Sequence, residues 1–203
     1  MHKTNTYLAL GDSYTIGEAV PITGSFPYQA VNILRKEGER FSAPEIIAKT
    51  GWTTDELAAA IETHQFLEDY DFVTLLIGVN NQYRGREVEE YKLEFESLLK
   101  KAIGFADGKT ERVIVLSIPD YSVTPFATEK DSPKIAHEIE LYNSLNMALS
   151  TKYKVHYIDI TEGTREAKND ASFLTSDGLH PSEKEYKRWA EKLAEYILSL
   201  NKK

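Results

Sequence analysis

Two short segments at opposite ends of the chain carry the residue types needed to attack a carbonyl. Ser13 stands in Gly11-Asp12-Ser13-Tyr14, directly after a short apolar run. His180 stands in Asp177-Gly178-Leu179-His180-Pro181, three positions after a carboxylate. A serine hydroxyl is a weak nucleophile until a base takes its proton. Histidine titrates near neutrality and is the natural base. A carboxylate on the far ring nitrogen would fix the tautomer and stabilise the imidazolium, and Asp177 is close enough to share one turn with His180. Two further clusters offer groups that could meet a developing oxyanion. Asn80, in Gly78-Val79-Asn80-Asn81, has a neutral N–H pair. Glycine at position 51 lets a backbone N–H approach without a Cβ in the way. Each cluster alone also has a structural reading. Ser13 or His180 could cap a helix, and Gly51, Asn80 and Asn81 could be turn residues.

The elements between these clusters decide whether they can meet. Tyr7–Leu10, Glu45–Ala48, Phe72–Ile77, Val113–Leu116 and Val155–Ile158 are short apolar runs that read as strands. The third is nearly continuous in hydrophobicity, which suits a central parallel strand covered on both faces. Apolar residues at helical spacing lie between the runs: Ala30, Val31, Ile33 and Leu34; Leu57, Ala60 and Ile61 after a Thr53…Glu56 capping box; Val88 through Ile103; Ile135 through Leu145; and Tyr186, Trp189, Leu193 and Ile197. Alternating strands and helices specify an α/β fold. The expectation is a single domain over 1–203, a three-layer flavodoxin-like α/β/α sandwich around a five-stranded parallel sheet. Two long loops, about 119–132 and 159–179, are left outside the regular elements. Ligands of such sheets bind beyond the carboxyl ends of the strands, where the clusters at Ser13, Gly51 and Asn80 fall; the Asp177/His180 cluster precedes the last helix and converges on the same edge.

Composition excludes several classes. The 203 residues contain no cysteine, so disulfides, thiolate nucleophiles and Cys-ligated metals are absent. The formal charge of −8, from 24 basic and 32 acidic residues, is the opposite of a nucleic-acid footprint. No segment has the roughly 20 apolar residues needed to span a bilayer, and the N-terminus shows no secretory h-region. A cytoplasmic location is expected, with a trimmed leader left open. No His/Asp/Glu set has metal-site spacing, so neither metal nor cofactor is expected. His2, His64, His137 and His156 carry no comparable chemistry. The oligomeric state is not specified.

In these four clusters the chain resembles the SGNH hydrolases, the GDSL lipase/esterase family. Gly11-Asp12-Ser13, Gly51, Gly78-Val79-Asn80-Asn81 and Asp177-Gly178-Leu179-His180 occur in that family's order and spread over nearly the whole chain. The resemblance implies that Ser13 is the nucleophile, His180 the base and Asp177 its orienting carboxylate. It further implies an oxyanion hole from the N–H groups of Ser13 and Gly51 and the side chain of Asn80. Asn81 stands where the family usually has Asp. The implied substrates are small esters: an acyl ester, thioester or lysolipid, with acetylated carbohydrate as the alternative within the family. A non-catalytic flavodoxin-like binding module is the alternative outside it. Asp12, Tyr14, Trp52, Tyr83, Tyr121, Phe173 and Leu179 are the candidate substrate contacts, joined by Ile16, Val123 and Phe126; Arg84 and Arg86 read as ordinary surface charge or as contacts to an anionic head group.

Overall fold

The computed structural model describes residues 3–200, which leaves His2 outside. Five strands form one parallel sheet: β1 (Tyr7–Asp12), β2 (Glu45–Lys49), β3 (Phe72–Leu76), β4 (Val113–Leu116) and β5 (His156–Ile158). Their order is β2-β1-β3-β4-β5. β1, β3 and β4 are buried along their whole length, as continuous hydrophobicity requires. The one polar side chain inside β3, Thr74, shares a 2.8 Å hydrogen bond with the Tyr7 hydroxyl on β1. The edge strands β2 and β5 are only part-buried. On β5, His156 stacks on the Tyr196 ring.

Right-handed crossovers put successive helices on the face dictated by the direction of travel. Helix α1 (Ser13–Ile16) is a single turn that follows β1 directly, and α2 (Phe26–Lys36) leads outward to β2. The chain then returns through α3 (Thr54–Thr63) to β3. It continues through α4 (Val79–Tyr83) and α5 (Val88–Phe105) to β4, and through α6 (Ser132–Tyr153) to β5. After α7 (Thr161–Arg165), α8 (Glu183–Leu200) comes back across the sheet to pack on α2. Helix α5 packs on both α3 and α6. Tyr186, Trp189, Leu193 and Ile197 form the buried stripe of α8. Trp189 meets Phe26 of α2 with ring centroids 6.0 Å apart, and its indole N–H donates to Glu185 at 2.8 Å. The path reverses between β1 and β3, which opens the crevice where doubly wound sheets bind ligands.

The two segments expected to be loops fold into a series of short turns. Tyr121–Val123, Pro125–Ala127, Glu166–Lys168 and Ala171–Phe173 are 3₁₀ turns, and α7 lies among them. Asp120 accepts from the N–H of Ser122, and Asp170 from that of Ser172. Such side-chain caps build turns without hydrophobic periodicity, so a pattern search passes over them. The two segments are tied together by the Asp120–Arg165 ion pair at 2.9 Å. Among the described residues no helix is long and apolar enough to cross a membrane.

The α2–α8 contact anchors the last helix to the N-terminal part of the fold. Phe26→Ala should therefore lower unfolding free energy by about 3–5 kcal/mol. Leu93→Ala, at a position 69% exposed, should stay within about 0.5 kcal/mol of the parent in the same denaturant titration.

Candidate active site

Ser13 is the first residue of α1. Asp12 caps that turn, its carboxylate accepting the N–H of Tyr14 at 3.0 Å. The turn lies so close to the sheet that a Cβ at position 11 would sit 2.1 Å from the Thr15 hydroxyl and 2.4 Å from the Leu76 carbonyl. Only glycine fits there, and Ser13 is aimed out of the end of β1 as a result.

His180 reaches Ser13 from the other end of the chain. The segment from Thr175 to Pro181 is folded around Asp177. One carboxylate oxygen accepts from the Thr175 hydroxyl at 2.7 Å, the Leu179 N–H at 2.8 Å and the His180 N–H at 2.9 Å. The other oxygen lies 2.7 Å from Nδ1 of His180, and Nε2 of His180 lies 3.0 Å from the Ser13 Oγ. Burial opposes the charge on Asp177, but these four hydrogen bonds outweigh it and hold the carboxyl at about 2. Asp177 is therefore ionised at neutral pH, as a carboxylate facing an imidazole Nδ1–H must be. Tyr14 covers one side of the imidazole, with ring centroids 5.1 Å apart.

Asn80 lies in the first turn of α4. Its amide donates to the Trp52 carbonyl at 2.9 Å and approaches the Asp12 carboxyl at 3.4 Å. Gly51 sits in the turn after β2, beside β1 in the sheet, with φ of +84°. A Cβ there would meet only the end of Arg84, at 3.8 Å. The left-handed backbone, not a shortage of space within the protein, is thus what calls for glycine.

The cleft beside Ser13 has a volume of about 80 Å³ and is lined by Ser13, Tyr14, Val79, Asn80, Tyr83, Tyr121, Phe126, Leu179 and His180. Of the expected substrate contacts, Tyr14, Tyr83, Tyr121, Phe126 and Leu179 are brought together here. Others are not. Phe173 lies in a neighbouring, smaller cleft that shares the Tyr14, Tyr121 and Leu179 walls, beneath the Lys184 ammonium at 3.8 Å. Trp52 packs against the core and contributes its carbonyl to Asn80. Asp12 is fully buried under the site, and Val123 opens on a separate surface groove. Ile16 and Gly51 are outside the cleft wall. Arg84 is engaged by Glu56 at 3.2 Å and by the Gly51 carbonyl, and Arg86 by Asp55 at 3.0 Å, so neither is a free anion receptor. Sequence reasoning missed Val79 as a wall residue. It also missed Gln82, which receives the Tyr121 hydroxyl at 2.8 Å and so fixes that ring. The signal for both was helical spacing after Gly78, which turns them toward the Ser13 side. Among the described residues no group of three His, Asp or Glu is placed to hold a metal ion.

Asp12 is the electrostatic counterpart of Asp177. Burial dominates, and hydrogen bonds from Tyr14 and Asn80 offset it only in part, so its carboxyl is raised to about 7. A carboxyl that ionises later in the folded than in the unfolded chain contributes stability at low pH and loses it as pH rises from about 4 to about 7. Asp12→Asn removes that dependence. Its unfolding free energy relative to the parent should improve by roughly 2–4 kcal/mol between pH 4 and pH 8. Parallel stability curves over that range would show that Asp12 ionises normally.

The family model of the GDSL-like lipase/acylhydrolase family matches residues 9–188. No curated protein matches the sequence. Among solved structures, the acetylxylan esterase Axe2 from Geobacillus stearothermophilus superimposes with a TM-score of 0.74 at 18% identity, covering 95% of this chain and 94% of that one. A lipase/acylhydrolase from Enterococcus faecalis gives 0.74 at 18% identity, covering 96% and 95%. The psychrotrophic esterase EstA from Pseudoalteromonas sp. gives 0.69 at 16% identity, covering 98% and 100%. The likeness to these structures is one of fold. With the match over 9–188, the chain belongs to the GDSL-like lipase/acylhydrolase family and is an ester-hydrolysing enzyme, not a non-catalytic module.

Proposed function

We propose that the enzyme cleaves carboxylic esters or thioesters of short acyl groups through an acyl-enzyme on Ser13. The observation that carries this reading is the unbroken contact series from Asp177 through His180 to Ser13, at 2.7 and 3.0 Å. In the first half-reaction Ser13 Oγ bonds to the ester carbonyl carbon while Nε2 of His180 takes its proton. The carbonyl oxygen becomes an oxyanion, accepted by the Asn80 amide and by the N–H groups of Ser13 and Gly51. The imidazolium, held through Nδ1 by ionised Asp177, then gives its proton to the leaving alcohol or thiol as the tetrahedral centre collapses. In the second half-reaction a water molecule attacks the acyl-serine while His180 takes its proton; as the tetrahedral centre collapses the bond to Ser13 Oγ breaks, His180 returns the proton to Oγ, and the carboxylic acid leaves.

The cleft supports a short acyl group. Its walls are aromatic and aliphatic, its volume is about 80 Å³, and Tyr121 is locked across it by Gln82. The rim is different. Tyr83 is 50% and Phe126 40% exposed, and such flat apolar faces suit a sugar ring or a lipid stem on the leaving group. An acetylated carbohydrate fits both features, since acetyl is a short acyl group and the sugar ring would lie on the aromatic rim.

Ser13→Ala and His180→Ala should each reduce kcat on p-nitrophenyl acetate by at least about 10³-fold. Wild-type rates in either variant exclude the mechanism. Across p-nitrophenyl esters from acetyl to decanoyl, kcat/KM should fall at least about tenfold, a barrier difference of about 1.4 kcal/mol. A rise with chain length would sink the short-acyl reading and leave the serine mechanism standing.

A further inference from the structure

Asn81 points away from the cleft and is fully buried. Its side-chain oxygen accepts the backbone N–H of Thr54 at 3.1 Å, and its amide nitrogen donates to the Thr54 hydroxyl at 2.6 Å. Thr54 is the first residue of α3, so its N–H is one of the donors a helix start leaves without an internal partner. The Thr54 hydroxyl in turn donates to the Glu94 carboxylate on α5. The hydrogens run one way along this chain, from amide to hydroxyl to carboxylate. The direction is forced, because a flipped amide would set its NH₂ against the Thr54 N–H.

The hydroxyl has a single hydrogen to give, and Glu94 takes it. A carboxylate at position 81 would need that same hydrogen. Two acids would then compete for one proton at neighbouring positions around one oxygen, in a part-buried site where like charges repel. The amide at 81 is thus the match for the acid at 94. The nearest cation, Arg86, lies 3.9 Å from Glu94 but is also engaged by Asp55 at 3.0 Å and by Glu90 at 3.7 Å.

The location gives this chain a consequence for the reaction. Thr54 starts α3 three residues after Gly51, and Asn81 is the neighbour of Asn80. Locking Thr54 to Asn81 therefore locks the turn after β2 to the start of α4. Two other bonds span the same gap, from Asn80 to the Trp52 carbonyl and from Arg84 to the Gly51 carbonyl. We infer that Asn81, Thr54 and Glu94 form a positioning unit that sets the distance between the Gly51 and Asn80 oxyanion donors, and that the unit requires an amide at 81 whenever an acid stands at 94. This inference rests on the oxyanion hole proposed above.

The test is a double-mutant cycle on p-nitrophenyl acetate. Asn81→Asp should lower kcat at least about tenfold, or about 1.4 kcal/mol, with KM changed less than about threefold, since misplaced donors affect the transition state more than binding. Glu94→Gln keeps an acceptor for Thr54 and should stay within about threefold of the parent. The double variant N81D/E94Q should regain kcat to within about threefold, because the carboxylate introduced at position 81 then receives the Thr54 hydrogen and no second acid competes for it. If N81D folds poorly, the same cycle read as melting temperature should show E94Q restoring N81D without raising the parent. An N81D enzyme with parental kcat, or one that E94Q fails to restore in either readout, overturns the inference. Failure of the underlying reading is separate: Asn80→Ala with undiminished kcat removes the oxyanion hole itself.

Discussion

The site depends on one hydrogen bond, the 3.0 Å contact between Nε2 of His180 and the Ser13 hydroxyl, which joins residues 167 positions apart. Nothing local holds these two side chains together. Ser13 is placed by the end of β1 and by a helical turn that only glycine at position 11 allows to lie so close. His180 is placed by a loop wound around Asp177 and fastened to the start of α8. The α8 helix is fixed in turn by Trp189 and its neighbours against α2. The hydrophobic contact between Phe26 and Trp189 thus bears on the active-site geometry through α8. A misplacement of about 1 Å can cost about 10²-fold in rate, so packing and chemistry are coupled here.

Two aspartates near Ser13 show how environment assigns roles. Asp177 receives four hydrogen bonds and stays ionised down to about pH 2. Asp12 is fully buried with fewer donors and is raised to about 7. In the proposed mechanism only the first suits the far side of a histidine that carries positive charge in the transition state. The second lies 3.4 Å from the Asn80 amide, where a full negative charge would oppose a developing oxyanion. Burial that keeps Asp12 largely neutral below pH 7 therefore favours the same chemistry that Asp177 supports by being charged.

Much of this was legible in the sequence because each feature was local or periodic. Continuous apolar runs gave the central strands, and helical spacing gave α2, α5, α6 and α8. The Asp-x-x-His spacing placed Asp177 and His180 on one turn, and four short blocks identified the sheet edge. What escaped depended on contacts between distant segments. Phe173 looked like a pocket residue because it lies in an irregular stretch, yet the 159–179 segment folds it into the neighbouring cleft. Trp52 offers a carbonyl where an aromatic face was expected. Arg84 and Arg86 read as ordinary surface charge or as an anion receptor, and acids on α3 and α5 engage them. The Asn81 departure was visible as a residue type, whereas its partner Glu94 on another helix was not.

The central claim is that the His180–Ser13 bond makes this one hydroxyl nucleophilic. The most direct measurement is intact-protein and peptide mass spectrometry after exposure to a fluorophosphonate. The account predicts a single adduct on Ser13 in the parent enzyme, lost in Ser13→Ala and strongly slowed in His180→Ala. An adduct on another residue, no adduct, or equal labelling without His180 would contradict it.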